Sequence, residues 1–111
     1  MKPLTIVSSR TPAGALLEVA GDLDHSNAHQ LRRAAVGAVV STGLMLVLDL
    51  GELGFCDSSG ITALIAVRNH VVAAGAGLIL VAVPETLRRL LHLTGLDQVF
   101  DLRDGHRLQA N

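Results

Sequence analysis

The chain has almost no aromatic residues, with two Phe and neither Trp nor Tyr in 111 positions. Ring stacking therefore cannot build its core, and single-stranded nucleic acid would find no platform for its bases. Hydrophobic residues still make up 50% of the sequence, so the core must come from Leu, Val, Ile and Ala, which suits a sheet covered by helices. Cys56 is the one cysteine, which excludes an intramolecular disulfide and a multi-thiolate metal site and fits a reducing cytoplasm. An excess of positive charge is also missing. Nine Lys and Arg stand against ten Asp and Glu for a net charge of -1, and the basic residues are scattered, so direct nucleic-acid binding is not expected. Long hydrophobic runs are absent too: Leu44 to Leu50 and Leu78 to Val83 fall far short of the roughly 20 residues that span a bilayer. The N-terminus reaches Ser8, Ser9 and Arg10 before a signal-peptide stretch develops, so neither an exported form nor membrane contact is expected.

What is present is an alternation of short apolar runs and helical patterns over one domain's length, residues 1–111 with a core over about 4–102. Leu4 to Ser8 and Ala15 to Ala20 flank the turn residues Pro12 and Gly14 and predict an antiparallel hairpin. Gly21-Asp22-Leu23-Asp24 ends the second strand. Ser26 or Asn27 then caps a first helix, with Gln30 in a capping-box-like position and Ala28, Leu31, Ala35, Ala38 and Val39 on its apolar side. Leu44 to Leu50 reads as a central strand covered on both faces, followed by a loop from Gly51 to Ser59. A second helix carries Ile61, Leu64, Ile65, Val71 and Val72 as its buried side and ends at Gly75 and Gly77. Leu78 to Val83 is a further buried strand. Pro84 opens a third helix at its first position, Gly95 closes it, and a short last strand falls around Val99 and Phe100. The fold class is α/β: a mixed, mainly parallel sheet with an antiparallel N-terminal edge hairpin, covered by helices. In such sheets functional groups gather beyond the carboxyl ends of the strands, here Gly21 to Ser26, Gly51 to Ser59 and Val83 to Glu85.

Asp57-Ser58-Ser59-Gly60 places three hydrogen-bonding side chains where that second helix begins. Simple capping accounts for such a stretch on its own, each cap contributing about 1 kcal/mol. The functional reading is that Ser58 accepts a phosphoryl group at a helix N-terminus, where N–H groups and the helix dipole tolerate an anion. A phosphate there adds about -1.5 to -2 charge beside Asp57, felt mainly by a docked protein.

In order and spacing, Gly21-Asp22-Leu23-Asp24, the run Leu46 to Leu50 and Phe55-Cys56-Asp57-Ser58-Ser59-Gly60 resemble the STAS family. Val83-Pro84, Arg89 and Leu93-Thr94-Gly95-Leu96 look like that family's third helix and its closing Gly-Leu. The resemblance to the anti-sigma factor antagonist branch implies a cycle. The unphosphorylated chain binds an anti-sigma factor that is also a serine kinase and frees the sigma factor; phosphorylation of Ser58 ends that binding, and a serine phosphatase restores it. It further implies that Asp24 shares a docking surface with Asp57, Ser58, Ser59 and Gly60. A cytoplasmic, monomeric protein with no catalysis, cofactor or metal of its own goes with this reading. The sequence departs from the family's habit at Asp22, often Glu, and at Cys56, often a bulkier apolar residue.

Other readings compete. A receiver domain would use Asp22, Asp24 and Asp57 with magnesium, but it needs a late lysine, and Lys2 is the sole lysine. A hydrolase would pair Ser58 or Cys56 with a histidine such as His25. His29, His70, His92 and His106 show no metal-ligand spacing and read as solvated. Within the family, a non-phosphorylated STAS subunit of a transport or lipid-trafficking complex, or a nucleotide-binding STAS domain, is the alternative. Cys56 is expected to be a packing residue.

Overall fold

Side chains alternate across each strand, and that alternation fixes which face of the sheet the helices cover. The computed structural model describes residues 2–38 and 41–104. Along the chain run β1 (Thr5–Thr11), β2 (Gly14–Leu23), α1 (Ala28–Gly37), β3 (Met45–Cys56), α2 (Ser58–Ala73), β4 (Gly77–Val81), α3 (Glu85–Leu93), a 3₁₀ turn (Leu96–Gln98) and β5 (Asp101–Arg103). One sheet holds all five strands in the order β1-β2-β3-β4-β5. β1 is antiparallel to β2, and every other pairing is parallel. This is the expected mixed sheet with an N-terminal edge hairpin and β3 at its centre. Among the described residues no helix is long and apolar enough to cross a membrane.

Leu17, Leu48 and Leu80, on neighbouring strands, share one buried cluster with Leu31 of α1, Leu64 of α2 and Leu91 of α3. Each is fully shielded from solvent, and burying such a side chain stabilises by about 1.5–3 kcal/mol. The opposite side of β3 is different. Leu46, Leu48 and Leu50 are buried while Met45, Val47 and Asp49 between them are only half-buried. The expectation of a strand covered on both faces is corrected accordingly: the three helices share their core with one face only.

Several boundaries also differ. β3 continues through Gly51-Glu52-Leu53-Gly54-Phe55, expected as a loop, because this stretch pairs in parallel with Ala20–Leu23 through two register shifts. Pro84 sits at the N-cap of α3, one residue ahead of the first helical position. The last strand starts at Asp101, just beyond Val99 and the buried Phe100. In α2 the buried residues are Gly60, Ala63, Leu64, Val67 and Val71, so Ile61 and Ile65 lie at the rim and Val72 is 51% exposed. Nearly the whole circumference of this helix is apolar, and its contacts with the sheet and α1 decide which side is inside. Gly75 and Gly95 do close their helices, each with a left-handed φ of 78° just after the C-cap. Val39 and His106 lie outside the described residues.

Candidate functional site

β2 and β3 end side by side, with Leu23 opposite Cys56. The Asp57 N–H donates to the Leu23 carbonyl at 3.2 Å, so the segments beginning at Asp24 and Asp57 leave the same edge together. The loop after β4 leads into α3, whose Thr86, Leu87 and Leu90 face Gly54, Phe55 and Cys56 across a groove of about 360 Å³. All three strand-to-helix connections named from the sequence thus reach one edge of the sheet.

Asp57 is the N-cap of α2, in extended backbone. Its Oδ1 accepts from the N–H groups of Ser59 at 2.9 Å and Gly60 at 3.1 Å, satisfying two donors that a helix start leaves open. Ser58 is the first helical residue and is exposed. Its carbonyl accepts from Thr62 Oγ1 at 3.0 Å; among the described residues its hydroxyl has no partner. Ser59 is half-buried and Gly60 buried. A Cβ on Gly60 would lie 2.5 Å from Cys56 Sγ and 3.0 Å from Leu23, so α2 starts this close to β2 and β3 because the residue has no side chain.

Asp24 is tied into its own loop. Its Oδ1 accepts from the Ser26 N–H at 2.9 Å and from Ser26 Oγ at 2.6 Å. The bond from the Ser26 hydroxyl, then that from its N–H, holds the Asp24 carboxyl below the usual range against some desolvation, with His25 adding a smaller favourable field. Asn27 occupies the N-cap of α1, yet its side chain makes no cap bond. Its Oδ1 accepts from Asp24 N–H at 2.9 Å and its Nδ2 donates to the Asp22 carbonyl at 2.8 Å. The expected capping box is therefore replaced by bonds that close the Asp22–Asn27 turn.

Cys56 is half-buried, its thiol directed to the Asp57 carbonyl at 3.6 Å. Burial, then the Asp57 charge, pushes it up to about 11, the opposite of what an activated nucleophile requires. The histidines are dispersed. His25 and His29 are exposed, and His92 Nδ1 meets Asp97 Oδ2 at 2.8 Å while 75% exposed. His70, expected to be solvated, is half-buried with an Nε2 that is shut off from water and has no partner among the described residues.

The one-dimensional pattern did not reveal two flanks of Ser58. On one lies the groove beside the exposed Phe55 and Leu90. On the other, the second-helix residues Ser59 and Thr62 share a hollow of about 240 Å³ with His25, His29 and Arg32. The available signal was the basic spacing His29, Arg32, Arg33 on a helix without a single acid.

The family model for the STAS domain matches residues 5–108. The anti-sigma-F factor antagonist RsfB of Mycobacterium tuberculosis is 32% identical over 88 residues, which is 79% of this chain and 71% of that protein. The anti-sigma-B factor antagonist of Listeria monocytogenes is 27% identical over 86 residues, 78% of this chain and 75% of the relative. Among solved structures, an anti-sigma factor antagonist from Mycobacterium paratuberculosis superimposes with a TM-score of 0.79 at 30% identity, covering 91% of this chain and 86% of that one.

Proposed function

The chain belongs to the STAS domain family, and from that premise we propose that it is an anti-sigma factor antagonist switched by phosphorylation of Ser58. One observation carries the reading: on a chain similar to named antagonists, Ser58 presents an exposed hydroxyl, without a partner among the described residues, at the first position of a helix capped by Asp57. In the proposed cycle the unphosphorylated chain binds an anti-sigma factor serine kinase and the sigma factor is released. The kinase then transfers the terminal phosphoryl group of ATP to Ser58 Oγ. The bond between the β- and γ-phosphates breaks, the Oγ–P bond forms, ADP leaves and the serine proton is lost.

This chain presents the hydroxyl, and the base for that step is assigned to the kinase. Asp57 Oδ1 is engaged by the N–H groups of Ser59 and Gly60, and Asp24 Oδ1 by Ser26. A serine phosphatase returns Ser58 to the hydroxyl by hydrolysis. Because the donor is ATP, the cycle is assigned to the cytoplasm. Asp24, Asp57, Ser58 and Ser59 form the proposed docking edge, while Gly60, being buried, lets the helix sit close beneath it.

Two unit charges 4 Å apart interact by about 1 kcal/mol in water and about 4 kcal/mol at an effective dielectric near 20. A dianionic phosphate beside Asp57 at a docked surface therefore weakens binding by roughly two orders of magnitude or more. The test is binding and phosphorylation by the cognate kinase. Ser58→Ala is expected to stay folded, bind persistently and resist phosphorylation; Ser58→Asp is expected to fold and bind weakly; Ser59→Ala is expected to be phosphorylated like wild type. If Ser58→Ala were modified at the wild-type rate and Ser59→Ala were not, the acceptor would be Ser59. If neither mattered, the switch reading would fail.

A further inference from the structure

Resting on the docking edge just described, we propose that the hollow between α1 and α2 receives a carboxylate side chain, an Asp or Glu of the anti-sigma partner, with Arg32 as its principal ligand. The hollow, about 240 Å³, is lined by His25, Ala28, His29, Arg32, Ser59 and Thr62. His29 and Arg32 are three residues apart on the exposed side of α1, where such neighbours share a face. They also border the adjoining hollow of about 410 Å³ that Arg33 lines, so the positive strip continues along the helix.

Among the described residues no ion pair involves the basic side chains of that strip, and α1 contains no acid. Of the two acids at the docking edge, Asp24 accepts from the Ser26 N–H and hydroxyl, with His25 adding a smaller favourable field on its carboxyl, and Asp57 caps α2. Of the two hydroxyls, Thr62 donates to the Ser58 carbonyl. A guanidinium offers paired N–H groups in the geometry a carboxylate accepts.

The decisive consideration is what docking at Ser58 would do to Arg32. A standard interface buries about 800 Å² per partner, a disc of roughly 16 Å radius. Centred on Ser58, it covers the hollow that Ser59 and Thr62, the next residue and the next turn of the same helix, help to line. Covering Arg32 with an apolar or basic surface would leave a desolvated, unpaired charge, whereas an acidic side chain turns the same contact into a specific pair.

The experiment measures affinity of the full chain for its cognate anti-sigma factor by titration calorimetry at two salt concentrations, with circular dichroism to verify folding. Arg32→Ala is expected to weaken binding at least about tenfold and to flatten the salt dependence. Arg32→Glu should weaken it further, and Arg32→Lys should retain part of the affinity. Arg10→Ala is the charge-matched control, since Arg10 pairs with Ala15 at the hairpin end, away from the α2 start. One Asp or Glu→Arg substitution in the partner is expected to restore binding to Arg32→Glu. Equal affinities of Arg32→Ala, Arg10→Ala and wild type would overturn the proposal, as would weakening that no acidic position of the partner can rescue. A wild-type chain that bound no anti-sigma factor would remove the antagonist reading itself and this inference with it.

Discussion

A methyl group on Gly60 would approach Cys56 Sγ to 2.5 Å and the Leu23 Cγ and Cδ2 atoms to 3.0 Å, whereas carbon contacts settle near 3.5–4.0 Å. Gly60→Ala therefore requires the start of α2, the end of β3 or both to move by about 1 Å. Overpacking of this kind costs about 1–3 kcal/mol. Against it stands the better helix propensity of alanine, worth about 1 kcal/mol at an unconstrained helical site. The net expectation is destabilisation by up to about 2 kcal/mol, a fall in Tm of up to roughly 8 °C for a domain of this size. Thermal and urea unfolding followed by circular dichroism would measure it. A double-mutant cycle locates the cause. Cys56→Ala removes the sulfur, so Gly60→Ala should cost less in that background, by about 1 kcal/mol or more; Leu23 still limits full recovery. A Gly60→Ala protein more stable than wild type, or a cycle with no coupling, would refute this seating of the helix start that carries Ser58.

The Cys56 thiol, raised from 9.0 to about 11, has a thiolate population roughly one hundredth of the unperturbed one near neutral pH. Alkylation by iodoacetamide is expected to be about a hundredfold slower in the native protein than in urea, and equal rates would contradict the burial argument. Because the folded-state value is the raised one, the associated stability is complete below pH 9.0 and is lost as pH climbs toward about 11. Asp24 has the reverse sign: its carboxyl is held low by Ser26, so its contribution is present above the ordinary carboxylate value and disappears as pH falls through the folded one. Asp24→Ala should therefore be less stable than wild type in urea at pH 7, the gap should narrow as pH falls below the ordinary carboxylate range, and a gap unchanged with pH would exclude the Ser26 bonds as its source.

The order of elements was legible because strands and helices have different periods. Leu44 to Leu50 is a short apolar run between Gly43 and Gly51, Leu78 to Val83 one between Gly77 and Pro84, and β3 and β4 overlap them. The second half of β3 was not legible. Gly51 and Gly54 look like punctuation, and what makes them strand is the pairing of Leu53 and Phe55 with Gly21 and Asp22, some thirty residues earlier in the chain. Asn27 was placed correctly at a helix start, but the use of its side chain depends on where Asp22 and Asp24 sit after folding. The same holds for Val72, whose exposure follows from which side of an almost uniformly apolar helix meets the sheet.

Within Asp57-Ser58-Ser59-Gly60 the sequence suggested one cap and one acceptor, and the structure gives each position a separate physical duty. Gly60 lets the helix approach Cys56 and Leu23. Ser59 turns its half-buried side chain toward the hollow under α1. Asp57 already occupies the open N–H groups of Ser59 and Gly60, which alters the expectation that a phosphate on Ser58 would be held by the helix start. Those two donors are spent, and the carboxylate that spends them repels a second anion. In the proposed switch, a phosphate at the exposed Ser58 would be directed outward, where water would solvate it at little cost to the fold. On docking that water would have to leave while Asp57 remained alongside, so the electrostatic penalty would fall on the complex rather than on the free domain. The cap that fixes the helix start would in this way also make the proposed modification legible to a partner.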